Sequence, residues 1–288
     1  MKYRKEDVVV LDENRLQEYQ AELLSVAKDV ISVMDKYNLQ YSLSGGSILG
    51  AIRHKGFIPW DDDVDLNVPR KSYDKLLQVF EEELGNRYYV QTPQKNPEIG
   101  IMVTQIRKRG TVARRKYDWR LSECGISIDI YIVENVFDNF IARVVQKNLS
   151  MFFSFCISAI RFYNNCHLPK ELYEMEGRQP QYTKIKLILA RFLKIVPLRK
   201  WISWCNYWNS ACKNEYTKLV AIPTGRKHFS GEIYERNKMN IYKKVPFETE
   251  LFNVPIWAEG FLEKFYGDYM EIPPVEKRER HLFLELRF

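Results

Sequence analysis

The chain is poor in cysteine, with five among 288 residues, an odd number and no C-x-x-C pair. That excludes a disulfide scaffold and predicts free thiols in a reducing compartment. A zinc site drawn from Cys156, Cys166, His167, Cys205 and Cys212 would have only weak spacing behind it. The opening stretch MKYRKEDVVVLDENR lacks the apolar core of a secretory signal, so a cytoplasmic location is predicted. NLSMFFSFCISAI, residues 148–160, falls short of the ~20 apolar residues that cross a bilayer and predicts a buried helix instead. Residues 137–215 are also poor in Gly and Pro, the breaks being Pro169, Gly177, Pro180 and Pro197, which predicts a helical region.

What is present is a globular composition, 45% hydrophobic and 14% aromatic, with a net charge of +7. The charge predicts an anionic partner: nucleic acid, a phosphate-rich glycan, a nucleotide or an anionic membrane face. LSGGSILGAIRHKGFIPWDDDVDLNV, residues 43–68, sets a Gly-Gly-Ser turn shortly before four aspartates in five positions. From residue 63 the chain alternates, Asp63, Asp65 and Asn67 against Val64, Leu66 and Val68, as a half-buried strand does. Two carboxylates at i and i+2 on a strand can share Mg2+ or Mn2+, hard cations that prefer oxygen ligands. Trp60, Asp61 and Asp62 stand just ahead of that strand as supports. Gly45 and Gly46 let backbone N–H groups approach a phosphate, and Ser47 is placed to cap a short helix over residues 48–54. The competing reading is an ordinary turn followed by a solvated acidic loop.

GISIDIYIV, residues 125–133, alternates Ile126, Ile128, Ile130 and Ile132 with Ser127, Asp129 and Tyr131. Asp129 sits mid-strand, where Asp is disfavoured and an unpaired buried carboxylate costs ~2–7 kcal/mol. It therefore needs a cation, either a metal or an arginine.

GGSILGAIRHKGFIPWDDDVDL resembles the signature of the LicD family, the phosphocholine transferase branch of the nucleotidyltransferase superfamily that also holds fukutin-like proteins. DIYIVEN from Asp129 and FYGDYMEIPPVEKRERH, residues 265–281, resemble further family stretches, the first departing from the pattern at Tyr131, Ile132 and Glu134. The resemblance covers residues 16–135 and 246–281. It implies an α+β fold with a nucleotidyltransferase-like mixed sheet flanked by helices. It implies that Asp63, Asp65 and Asp129 are catalytic and hold Mg2+ or Mn2+, two ions in all. It also implies phosphate binding at Gly46 and Ser47, a place for Glu134 near the site, and substrate contacts by Asp268, Tyr269 and His281. The reaction implied is transfer of phosphocholine from a CDP-activated donor to a glycan acceptor, lipid-linked, such as teichoic acid or lipopolysaccharide. Glycerol-phosphate, ribitol-phosphate and nucleotidyl transfer are the alternatives within that class. Outside it stands a basic nucleic-acid-binding protein, disfavoured because clustered aspartates repel a nucleic-acid backbone.

The expected organisation is a catalytic core over residues 1–136, a helical elaboration over 137–215 and a C-terminal part, 216–288, packing back on the core. Apolar residues at helical spacing predict a helix over 16–37, and Pro69 with Gly85 brackets a second. The basic run RKRGTVARRK offers a phosphate clamp, with Arg107 preferred because it ends the strand expected beside the aspartates, or else a solvated hairpin edge. Arg53 and Lys55 are the other cations for a phosphate. Trp60, Tyr117, Trp119 and Tyr266 are aromatic faces available to a choline head group. Residues 184–208 interleave Lys and Arg with Leu, Ile, Phe and Trp, which fits core packing or a peripheral position on an anionic membrane.

Overall fold

Helix α1 (Glu13–Lys36) forms because Leu16, Tyr19, Leu23, Val26, Ala27, Val30, Val33 and Met34 recur every three or four residues and fall on one buried face. Asp12 caps it by accepting from the Arg15 N–H at 2.9 Å. A second amphipathic helix, α3 (Arg70–Leu84), follows strand β2 (Asp65–Pro69) and ends at Gly85, as its bracketing residues predict. These are features of a computed structural model that describes residues 8–115, 117–118, 121–166, 184–278 and 281–288.

Both helices cover one side of a mixed sheet. Its strands are β1 (Ser42–Leu43), β2 (Asp65–Pro69), β3 (Tyr88–Gln91), β4 (Thr104–Lys108) and β6 (Ser127–Val136), in the order β1-β2-β6-β4-β3. β2 and β6 run parallel and the remaining pairs antiparallel. The predicted α+β class with a mixed sheet is therefore what the chain adopts. The far end of β6 also pairs with β7 (Leu219–Ala221), which pairs with β8 (Ile233–Glu235), so residues beyond 216 extend the same sheet.

Register gives the sheet two unlike faces, because residues opposite each other on neighbouring strands point the same way. Leu43, Leu66, Ile130 and Thr104 line up on one face, with Ile106 opposite Ile128 and Val90. This is the apolar face under α1 and α3, where the Tyr73 hydroxyl meets Thr104 Oγ1 at 2.8 Å. On the other face Asp65 aligns with Asp129 and Gln105, Asn67 with Tyr131 and Ser42, and Arg107 with Ser127. Alternation thus builds a hydrophobic core and a polar working surface from the same strands.

Strand β5 (Val112–Arg115) pairs with the C-terminal strand β11 (Phe283–Arg287), bringing the end of the chain beside the polar face. Helices α4 (Phe140–Asn164), α5 (Lys184–Leu193) and α6 (Leu198–Asn209) pack together around a small core of Cys156, Ile157, Ile160, Trp201, Ile202 and Cys205. The predicted short buried helix is corrected here. Lys147 and Arg161 lie inside α4 rather than bounding it, so the helix reaches 25 residues, and by length and composition it could cross a membrane. Much of its surface is exposed, Phe152 and Phe155 included. Two other boundaries also move: β2 begins at Asp65, leaving residues 61–64 as an irregular lead-in, and α2 (Gly45–Leu49) begins at Gly45 with Ser44 as its N-cap. Ser47 is therefore inside the first turn and is not the cap.

Arg107 is buried, and its guanidinium is fully engaged, so it is not a free phosphate clamp. It pairs with Asp118 at 3.0 Å and bonds Gln91, Gln105 and the Gly125 carbonyl. Removing one member of a buried ion pair leaves the other uncompensated, at a cost of ~3–5 kcal/mol. Asp118→Ala is expected to lower the free energy of unfolding in urea by about that amount, whereas a change under ~1 kcal/mol would mean that water reaches Arg107 readily.

Candidate active site

The aspartates converge where the lead-in to β2 meets β6. Asp65 opens its strand directly beside Asp129, and the backbone knits them: Asp129 N–H donates to Val64 O at 2.9 Å and Ser44 N–H to Asp65 O at 2.9 Å. Asp61 is held by a tight turn onto Ile58 O, and its own carbonyl accepts from Gln20 Nε2 at 2.8 Å. Asp62 points elsewhere. Its carboxylate accepts from the His281 backbone N–H at 3.0 Å and from His281 Nδ1 at 2.6 Å, which locks the C-terminal segment against the site. Asp62 and His281, both predicted near the site, are thus joined to each other.

Asp129 is oriented by a relay. Gln105 Nε2 donates to Asp129 Oδ1 at 2.7 Å, while Gln105 Oε1 accepts from Arg107 at 2.7 Å and from Gln91 at 3.1 Å. Arginine has only donors, so the Gln105 oxygen must face Arg107 and its amide hydrogens must face Asp129. Arg107, read from sequence as a phosphate ligand, instead positions a carboxylate through one intermediary.

Burial and mutual repulsion push the carboxyls of Asp61, Asp63 and Asp65 above the ordinary carboxylate range. Asp62 escapes this: burial pushes its carboxyl up, but His281 and Arg115 hold it below that range. Among the described residues, Arg115, at the end of β5, is a cation facing the group. Burial would weaken its charge, but Tyr19, Asp62, Asp129 and Asp63 together raise its pKa. Its NH2 donates to Asp62 O at 3.3 Å. Tyr131, next on the polar face, is raised first by Asp65 and then by burial.

The glycine turn presses against these acids. Gly45 has φ +49°, and a Cβ there would stand 3.4 Å from Asp65 Oδ2; one on Gly46 would stand 3.1 Å from Asp61 Oδ2. Ser47 Oγ accepts the Asp65 N–H at 2.9 Å, tying turn to strand. The segment Gly50–His54 continues as a π-helical turn, an irregularity often found at functional sites. Arg53 projects from it and donates to the carbonyls of Tyr269 at 2.7 Å and Glu271 at 3.1 Å, pinning the C-terminal loop. Lys55 bonds back to Ile52 O at 3.2 Å and does not reach the site.

Beside Gly46 and Asp61 opens a cavity of about 440 Å3, which Trp60, Arg226, Tyr266, Asp268 and Tyr269 help to line. Its wall takes in the predicted residues Arg53, Trp60, Asp268 and Tyr269. Arg278 lies over the Trp60 ring at 4.1 Å and Arg161 over Tyr117 at 5.3 Å, so those faces are taken; Trp119 is outside the described residues. Glu134 is not at the site. It forms a buried ion pair with Arg70 beside another cavity of about 310 Å3, because it lies five residues along β6 from Asp129. A further cavity, of about 900 Å3, has none of the predicted residues in its lining.

The donors gathered at the cluster are carboxylate oxygens, the set that suits Mg2+ or Mn2+. Among the described residues, one trio brings metal-capable atoms within 4.8 Å of each other: Asp62, Asp63 and His281. There the His281 nitrogen is already given to Asp62. The described cysteines form no such group, and His167 lies outside the described residues.

Residues 38–151, which contain the glycine turn, the aspartates and Asp129, match the family model described as LicD/FKTN/FKRP, nucleotidyltransferase domain. This segment is a LicD-family nucleotidyltransferase domain. The lipopolysaccharide cholinephosphotransferase LicD of Haemophilus influenzae is 26% identical over 272 residues, 92% of this chain and 95% of that protein. Shorter matches join the chain to the uncharacterized protein RP689 of Rickettsia prowazekii, 37% identical over 65 residues, 22% of this chain and 24% of that protein. The human ribitol 5-phosphate transferase FKRP is 39% identical over 64 residues, 22% of this chain and 13% of that protein. The chain is accordingly similar, along nearly its whole length, to a LicD transferase.

Sequence reasoning passed over Arg115, Gln105, Arg226 and Glu232. Arg115 lay inside the basic run already singled out; Gln105, two residues before Arg107, shared its strand parity. Glu232 sits buried beneath the loop that carries Arg226 and accepts the Lys227 N–H at 2.8 Å. Burial pushes its carboxyl up to about 7 from an ordinary 4.5. In that interval the folded state keeps a proton that the unfolded state has lost, so stability falls as pH rises from about 4.5 to about 7. Glu232→Gln is expected to flatten this slope and to raise Tm at pH 8 relative to the parent, read by thermal unfolding across the range; an unchanged slope would place Glu232 in contact with water.

Proposed function

We propose that the protein transfers phosphocholine, or a similar phospho-alcohol, from a CDP-activated donor to a hydroxyl of a cell-surface glycan, releasing CMP. The observation that carries this reading is the alignment of Asp65 with Asp129 on the polar sheet face, together with Asp63, against the glycine turn. The likeness to the Haemophilus influenzae cholinephosphotransferase along nearly the whole of both chains supports choline phosphate as the group and lipopolysaccharide or a related glycan as the acceptor.

Asp63, Asp65 and Asp129 would hold Mg2+ or Mn2+, two ions in the family's pattern. When bound, the metal neutralises the diphosphate and the charge growing on CMP. The chain's own residues do the rest. The bare backbone of Gly45 and Gly46 admits a phosphate against the turn. Arg115 opposes the upward push on the Asp63 and Asp65 carboxyls. Asp129, aimed by Gln105, accepts the proton of the acceptor hydroxyl as its oxygen bonds to the phosphorus and the phosphorus–oxygen bond to CMP breaks. Tyr266 and Tyr269 offer aromatic surface to a quaternary ammonium in the adjoining cavity. The FKRP likeness favours ribitol phosphate as the second candidate for the transferred group. No nucleic-acid partner is expected, and a cytoplasmic site of action, where CDP-activated donors are made, suits the reading.

Purified protein incubated with Mg2+ and CDP-choline, CDP-ribitol or CDP-glycerol is expected to release CMP fastest from CDP-choline. Release from none of them would overturn the proposal, and preference for CDP-ribitol would move it to the second candidate. Asp65→Asn and Asp129→Asn are each expected to lower kcat by ~10²-fold or more, the scale of losing one strong electrostatic contact in the transition state. Without divalent metal, Asp65→Asn should unfold at a higher temperature than the parent, since it relieves repulsion. Near-parental turnover in either variant would contradict the assignment.

A further inference from the structure

Helix α5 is amphipathic with its apolar side outward. Ile185, Ile188 and Phe192 fall within one arc of the helix and are 77%, 60% and 64% exposed, while Ala190 on the opposite side is fully buried. Ile195, just beyond the helix, is 80% exposed. A helix that merely packed on its neighbours would be turned the other way. Helix α4 repeats the arrangement. Ile141, Val145, Phe152 and Phe155, spaced three, four or seven apart, are exposed along one side. Its other side is fixed by Gln146 Nε2, which donates to the carbonyls of Asn135 at 2.9 Å and Asn209 at 3.2 Å, and by Ser150 with Asn209. The two stripes meet where Lys186 lies over the Phe155 ring at 5.9 Å.

The two helical segments that form this surface carry charge of one sign. Residues 140–164 and 184–209 contain nine Lys and Arg and no Asp or Glu, in a chain with 37 acidic residues. Arg191, Lys194, Arg199 and Lys200 are exposed at its margin. An apolar stripe bordered by basic residues matches an anionic bilayer surface, into which the apolar side chains sink while the cations meet lipid phosphates. A polar inner side bonded to the rest of the protein keeps α4 along such a surface rather than through it.

We infer that α4 and α5 form a docking face for the surface of an anionic membrane. This goes beyond the transfer reaction and does not depend on which donor is used. Under the proposed function, docking in this way would bring the site to an acceptor carried on lipid.

Co-sedimentation of the full chain with phosphatidylcholine vesicles, with and without phosphatidylglycerol, tests it. Binding is expected to be at least ~10-fold stronger with the anionic lipid and to weaken in high salt. Ile188→Glu combined with Phe192→Glu should lower it ~10-fold or more on the same vesicles, as loss of two buried apolar side chains requires. Arg199→Glu combined with Lys200→Glu should lower it on anionic vesicles alone. Circular dichroism and Tm of both double variants should match the parent, since all four positions are at the surface. Equal binding to both vesicle types, no binding, or parental binding by the Ile188/Phe192 variant would overturn the inference. A parent dimer in solution that fails to bind vesicles, and that the same variant converts to monomer, would assign the face to a second copy of the chain instead.

Discussion

Mutual repulsion among half-buried carboxylates is the constraint around which this molecule is arranged. Neighbouring strands lie ~4.8 Å apart, and two like charges at that distance repel by roughly 3–4 kcal/mol at an effective dielectric of ~20. Asp65 and Asp129 are placed in that relation, and Asp61 and Asp63 add to it. A few such pairs rival the whole ~5–15 kcal/mol stability of a typical domain. A fold that maintains them does so for a reason other than stability, and the cation proposed above would relieve them directly. Arg115 offsets part of the charge, and His281 removes Asp62 from the contest.

Much of the remaining architecture serves to hold that arrangement still. The alternation that gives the sheet an apolar face also supplies a row of polar residues on the other. Asp118, Arg107 and Gln105 use that row to aim Asp129. The chain returns from residue 281 to clamp Asp62, and Arg53 ties the glycine-turn segment to the loop around Tyr269. Parts of the wall of the candidate donor cavity therefore come from both ends of the sequence. The helical region lies to one side, with an outward apolar surface that the catalytic chemistry does not call for.

The alternation in residues 63–68 and 125–133 made the strands and their acidic faces legible, since a period of two is a local property. α1 and α3 were legible for the same reason at a period of 3.6. What could not be read depended on partners distant in sequence. Arg107 and Arg115 look alike in a basic run, and only the depth of their strands and the position of Asp118 decide which one faces the aspartates. Asp62 finds His281 across 219 positions. Glu134 sat close to Asp129 in sequence, but its strand carries it away to Arg70. The outward turn of α5 was hidden too, because an amphipathic pattern does not say which side meets solvent.

The central claim is that the aspartates form a divalent-cation site, and Mn2+ binding followed by electron paramagnetic resonance tests it without relying on turnover. The parent protein should bind Mn2+ in competition with Mg2+. Asp63→Asn and Asp65→Asn should each lose that binding, while Gln105→Leu, which removes the group that aims Asp129 together with its bonds to Arg107 and Gln91, should weaken it. Mn2+ binding that survives in both aspartate variants at parental strength would contradict the account.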